Sequence, residues 1–298
     1  MPLDDTGWPV STGDSTVSNA HVEQFKDQVF HLAQQDMSRL RNAVRNEMVR
    51  GTTHNFERLG ATAAVKKTTR HTPTPILDVP HSRRKLHMED FSWADLIDEE
   101  DLIRMLIEPK SAYAQNAAMA MGREWDAQII AGLGGVAKDG DDADVAFLAA
   151  QTVSDGSAAM SIELLSETKY IMDKNEVPFN DRFICISAEE LKALLNTTEI
   201  TSADFNTVRA LVAGDIDTFM GFKFLQTELL PLVTTVRDCF AWQKDCVGLG
   251  IGRDTIARVS QRDDVSYAWQ VYSAFSCAAT RIDDAGVVKI EVLATAAP

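Results

Sequence analysis

The residues able to do covalent or metal chemistry are few. Four cysteines, Cys185, Cys239, Cys246 and Cys277, include no CxxC pair, so they match neither a zinc set nor a secreted disulfide framework. All six histidines, at positions 21, 31, 54, 71, 81 and 87, fall in the first third of the chain, far in sequence from every cysteine. The spacing therefore indicates no Cys–His nucleophile. The stretch GLGGVAKDGDDADVA (132–146) lacks both the spacing and the glycine of a calcium loop. GLGIGRD (248–254) carries three alternating glycines without the dinucleotide fingerprint or a strand-turn-helix unit around them. There is no P-loop, HExxH or GxSxG. No catalytic residue, metal ligand or cofactor is expected.

What remains is ionic chemistry. From Arg39 to Lys85 the chain holds eleven Lys and Arg against three acids, a balance of +8 inside a protein of formal net charge −15. Lys66, Lys67, Arg70, Arg83, Arg84 and Lys85 concentrate that charge, and Asp95, Asp98, Glu99, Glu100 and Asp101 follow within a few residues. Such unlike neighbours suit pairing between two copies of one surface. The acidic remainder argues against nucleic-acid binding over the whole surface, which needs dense Lys and Arg to displace counterions from phosphates.

The basic run needs something to carry it. Between Gly51 and Ala94 there is little amphipathic periodicity. Pro73, Pro75 and Pro80 exclude a helix and favour an extended ribbon with its tip near Thr72 to Pro75. Ahead of it, Val22, Phe25, Val29, Leu32, Ala33, Met37 and Leu40 predict a helix over 20–44. After it come a short acidic helix or turn over 99–107 and a long helix from about Ser111, with Tyr113, Ala117, Met121, Trp125, Ile129 and Leu133 every fourth residue.

From Ser161 to Phe224 the pattern alternates: a helix at IELLSETKYIMDKN, a buried strand at RFICIS, a helix opened by the capping box Ser187/Glu190, another at ADFNTVRALVAG, and strands at DIDTF and GFKFLQT. This reads as a compact α/β subdomain. The end of the chain predicts a long strand, VSYAWQVYSAFSCAATRID, turned back by DDAG (283–286) into VVKIEVL, with the long helix against that hairpin. With 298 residues and 45% hydrophobic content the chain can bury one large or two modest cores. No apolar run approaches the ~18 residues of a membrane span and no signal-peptide pattern opens the chain, which predicts a cytoplasmic, non-membrane protein.

Taken in order, these parts resemble the tailed-bacteriophage major capsid protein family, whose fold is shared with herpesvirus shells and encapsulins. The resemblance spans essentially the whole chain. It is carried by FKDQVFHLAQQDMSRLRNAVR (25–45), VPHSRRKL (79–86), WADLID (93–98), SAYAQNAAMAMGREWD (111–126), TSADFNTVRALVAGDIDTFMGFKF (201–224) and SYAWQVYSAFSCAATR (266–281). It implies an α+β fold with an N-terminal arm (1–52), an extended loop (53–97), a peripheral domain (98–155 and 236–298) built on a long spine helix and a β hairpin, and an axial domain (156–235).

The function it implies is structural: a subunit that self-assembles as hexamers and pentamers into an icosahedral head enclosing double-stranded DNA without sequence specificity. The implied partners are further copies of the chain, a separate scaffold, a portal and decoration proteins. The implied location is the virion capsid, with assembly in the host cytoplasm. On this reading the six basic residues reach a neighbouring subunit, and the acids from Asp95 to Asp101 receive such a contact. No Lys–Asn pair for covalent crosslinking is identified. The alternatives are an encapsulin-like compartment with an enzyme cargo, a DNA-binding protein using the +8 segment, and a hydrolase unsupported by any spacing.

Overall fold

The computed structural model describes residues 34–71, 73–98, 109–154, 156–195 and 218–294. Its long axis is helix α1, Pro109–Gly134, about 39 Å at 1.5 Å per residue. Proline at its first position costs no intrahelical hydrogen bond there. The every-fourth-residue stripe is the buried face: Ala117, Met121, Trp125, Ile129 and Leu133 are all in the core.

That face lies chiefly on a four-stranded sheet, in the order β1 (Arg45–Met48), β13 (Val247–Gln261), β14 (Trp269–Arg281) and β4 (Glu89–Ile97). The rings of Phe91 on β4, Phe275 on β14 and Trp125 on α1 stack in sequence, with centroids 5.2 and 4.6 Å apart, and the Arg41 guanidinium covers Trp125 at 4.6 Å. The expected terminal hairpin is corrected here. β14 pairs antiparallel with β13, from Val247↔Arg281 to Gln261↔Trp269, and not with the strand that follows it. The DDAG segment forms a 3-10 turn, Asp284–Gly286, opened by the Asp283 side chain accepting from the Ala285 amide at 3.1 Å. It hands the chain to a different sheet.

That second sheet runs β7 (Thr152–Val153), β15 (Val287–Leu293), β12 (Val236–Gln243), β8 (Arg182–Ile186), β10 (Phe222–Gln226) and β9 (Thr218–Phe219), with β11 (Leu232–Val233) beside β12. Helices α2 (Ile162–Lys174) and α3 (Ala188–Leu195) accompany it. Ser161 caps α2, accepting from the Leu164 amide at 3.3 Å. At α3 the capping box forms: the Ser187 amide donates to Glu190 Oε2 at 2.9 Å, and Ser187 Oγ accepts from the Glu189 amide at 3.1 Å. β8 pairs with β10 on one side and with β12 on the other. One continuous sheet therefore crosses the 235/236 border expected from the sequence. The helix expected at 203–214 and the acidic turn expected at 99–107 lie outside the described residues.

A third sheet, β2 (Thr53–Leu59), β3 (His81–His87), β5 (Ala137–Asp139) and β6 (Asp144–Val145), forms the ribbon and its root. The 132–146 stretch, expected as a loop, ends in the small β5/β6 hairpin on the ribbon's flank.

The helix expected over 20–44 is corrected where it is described. From Gln34 the chain runs without α-helix, makes one 3-10 turn at Arg41–Ala43 and enters β1. The physical reason is Asp126, fully buried on α1. It accepts from the Arg39 amide at 3.0 Å, the Leu40 amide at 3.1 Å, Ser38 Oγ at 2.6 Å and the Gln35 side-chain amide. Donors that a helix would give to its own carbonyls are taken by one carboxylate, and Trp242 Nε1 donates to the Ala43 carbonyl at 2.8 Å. Gly122 makes the crossing possible, since a Cβ there would meet the Met37–Ser38 backbone at 3.1–3.2 Å.

Two predictions follow from this packing. Asp126→Ala leaves buried backbone donors without an acceptor and should cost about 3 kcal/mol in chemical denaturation; Asp126→Asn, which keeps one acceptor oxygen, should cost less. Asp238 faces Glu291 directly across the β12/β15 ladder. Burial pushes its carboxyl pKa up, Lys289 opposes this and Glu291 adds to it. A raised carboxyl pKa gives stability that is present below the ordinary value of 3.8 and lost as pH rises through the folded value. Asp238→Asn should therefore raise the melting temperature at neutral pH and narrow its difference from the wild type as pH falls towards 4, both read by calorimetry.

Candidate functional site

The ribbon is an antiparallel pair in which Thr53↔His87 through Leu59↔His81 face each other. The connection between its strands carries no helix or strand among the described residues, and its side chains are exposed, Ile76 at 97%. Lys66, Lys67 and Arg70 all lie on that connection and form no ion pair among the described residues.

The other three basic residues sit on β3 and find partners in their own chain. Arg83 Nε meets Glu57 Oε1 at 2.8 Å across the ribbon, both side chains being 59% exposed. Arg84 points inward and is 4% exposed, with Asp284 as its partner. Lys85 pairs with Asp142, which also meets His87 Nε2 at 2.7 Å. The expectation that all six reach a neighbour is corrected for Arg84: alternation along β3 turns its side chain to the core face. Among the acids, Asp95 lies half-buried on β4, accepting from the Leu96 amide at 2.9 Å, and Asp98 is exposed just beyond the strand. Glu99, Glu100 and Asp101 lie outside the described residues.

Two features missed in the sequence hold the ribbon's root. The first is an ionic knot. Asp284 takes Arg84 on one oxygen and Arg281 Nε at 3.1 Å on the other. Arg281, fully buried, also donates to the Leu133 carbonyl at 2.9 Å and to the Gly135 and Val145 carbonyls, with the Phe147 ring 4.8 Å below. Arg58 donates to the Ile282 carbonyl at 2.6 Å. Burial pushes the Arg84 pKa below its ordinary value while Asp284 opposes the shift, and the group stays charged at neutral pH. The second feature is the run of alternating glycines on β13. Added Cβ atoms would meet Phe56 at 2.5 Å from Gly248, Leu86 at 2.6 Å from Gly250 and Met88 at 3.2 Å from Gly252. The glycines clear one face of the strand so that the ribbon's apolar root lies against backbone. Their period of two was the signal available in the sequence.

Burial pushes the thiols of Cys185 and Cys239 far up and those of Cys246 and Cys277 up to about 12, so none is a thiolate nucleophile at neutral pH. Among the described residues no group of His, Cys, Asp or Glu could hold a metal, and no helix is long and apolar enough to cross a membrane.

The sequence profile of the family described as "Phage capsid protein" matches residues 17–294. The chain belongs to the phage capsid protein family. This capsid protein matches no curated protein in sequence. In structure it is similar to the capsid of cyanophage P-SCSP1u, with a TM-score of 0.72 and 14% identity over 94% of this chain and 95% of that one. It is also similar to a chain of Mycobacterium phage Che8, with TM-score 0.68 and 17% identity over 90% and 96%. The capsid of a native GTA particle gives TM-score 0.70 and 13% identity over 96% and 100%. The α+β fold is that of tailed-phage major capsid proteins, and the subunit is a structural protein.

For this capsid protein, Arg84→Ala leaves Asp284 paired with Arg281 but empties the volume of a buried side chain and frees the second Asp284 oxygen, and should cost about 2–5 kcal/mol. Arg84→Met, which refills the volume, should cost less than Arg84→Ala. Denaturant titration gives both values, and faster protease cleavage within 61–80 should accompany the loss.

Proposed function

We propose that this capsid protein closes into an icosahedral shell of hexamers and pentamers around double-stranded DNA. The virion capsid is then its working location and the host cytoplasm the place where it assembles. The expected parts keep their roles: 1–52 as arm, 53–97 as the loop reaching a neighbour, 98–155 with 236–298 as the peripheral domain, and 156–235 as the axial domain. The observation that carries the reading is the exposed connection of the ribbon, with Lys66, Lys67 and Arg70 unpaired among the described residues and Ile76 bare. An exposed basic and apolar arm on an acidic protein has its complement on another copy, where Asp95 and Asp98 present acid. Arg83, held only by a surface pair to Glu57, joins the same contact.

Exposed ion pairs contribute about 0–1 kcal/mol each, so single contacts exchange easily and misplaced subunits can leave before the shell closes. The acidic net charge suits a container whose wall does not bind its DNA tightly. A separate scaffold, a portal and decoration proteins complete the particle. The phage capsid family match favours this over an encapsulin-like compartment.

Electron microscopy and sedimentation of the chain expressed with its neighbouring genes should show closed shells that package DNA. The variant Lys66→Glu/Lys67→Glu/Arg70→Glu/Arg83→Glu should melt as the wild type does yet yield fewer shells by about tenfold or more, because like charges would then face each other. An unchanged shell yield would rule out the basic loop as the contact.

A further inference from the structure

The first sheet ends in two bare edges of opposite charge. On β13, β1 pairs only with Gly248–Ile251, and the nine residues Arg253–Gln261 have no strand on their outer side among the described residues. On the far side, β4 also offers nine residues, Glu89–Ile97, paired only with β14. Unpaired edges of this length template pairing with another chain unless something covers them. The β13 edge carries Arg253 and Arg258, with Arg262 just beyond it. The β4 edge carries Glu89, Asp90 and Asp95, with Asp98 just beyond it. Each edge also shows one half-exposed aliphatic residue, Val259 at 43% and Leu96 at 42%.

We propose that these edges join between copies, β13 of one subunit against β4 of the next, so that the sheet continues across the subunit boundary. The inference rests on the shell reading and adds a contact separate from the basic loop. Direction agrees: both strands run antiparallel to β14 and hence parallel to each other, and β13 already accepts the parallel strand β1 upstream. With Arg253 level with Asp90, the bulge between Arg253 and Ile256 sets Arg258 level with Ala94, on the same face as Asp90. Like edges repel: β4 against β4 sets acid against acid. In β13 against β13 the nearby acids are already held, Asp254 by both Arg41 amino groups at 3.0 and 2.9 Å and Asp264 by Arg262. Unlike edges make a head-to-tail contact, which closes rings or extends a surface rather than stopping at a dimer.

The test uses the full chain carrying Ser260→Cys and Leu96→Cys, which the same register sets level and on one face, since the four native thiols are buried. Within one subunit these positions stand two ladders apart, Ser260 facing Gln270 and Gln270 facing Leu96. That is about 10 Å, beyond disulfide reach. Mild oxidation should give a ladder of dimers and higher oligomers on a non-reducing gel, and neither single variant should crosslink. Adding Glu89→Lys with Asp90→Lys, which leaves Asp95 and Asp98 to the basic loop, should cut the ladder about tenfold, and further adding Arg253→Glu with Arg258→Glu should restore it. Shells without a ladder would overturn the edge pairing and leave the shell reading standing. Monomers alone at every concentration would overturn both. Dimers from a single variant would show like edges meeting and overturn the unlike pairing.

Discussion

Asp284 is the point on which the geometry of this subunit turns. One half-buried carboxylate holds two guanidinium groups, Arg84 from the ribbon and Arg281 from the end of β14, and Arg281 reaches on to carbonyls at the end of α1 and beside β6. Two cations around one anion would be poorly compensated in an apolar interior. The carbonyl oxygens and the Phe147 ring supply the remaining negative density. The arrangement is directional, so it fixes an angle as well as a position: the ribbon leaves the body where the turn after β14 allows. A hydrophobic contact alone would let it slide.

The same economy of position recurs at two crossings where backbone lies on backbone. Gly248 and Gly250 let Phe56 and Leu86 settle onto β13, and Gly122 lets the 37–38 segment cross α1 one turn from the carboxylate that captures it. In each case an absent side chain sets the spacing and a polar or aromatic group sets the register. The subunit therefore has a stiff centre, and its exposed contact groups sit on elements anchored to that centre.

Much of this was legible in the sequence where one period ran undisturbed. The stripe from Ala117 to Leu133 marks α1, RFICIS marks β8, and the Ser187/Glu190 box marks the start of α3. The prolines at 73, 75 and 80 marked an extended connection. What was not legible depended on distant partners. The helical spacing that reaches Leu40 is real, yet Asp126, 86 residues away, outbids the local hydrogen bonds. The turn at 283–286 was visible, but nothing local says that it passes the chain to another sheet. GLGIGRD looked like an incomplete dinucleotide fingerprint because its true neighbours, Phe56 and Leu86, lie far upstream in the sequence. Arg84 and Lys85, adjacent in a basic cluster, part company because a strand sends successive side chains to opposite faces.

The topology also orders events in time. β1 waits for β13, β4 waits for β14, and β8 has β12 as its inner neighbour, so each larger sheet pairs early sequence with residues beyond 236. Even the ribbon, whose own strands lie close in sequence, lacks its anchor until Asp284 has been made. Pairings so distant along the chain close late and slowly. A nascent chain on the ribosome thus carries its basic arm without the frame that aims it. The arm is aimed only once the segment around Asp284 is in place, so this part of the surface is completed late in folding.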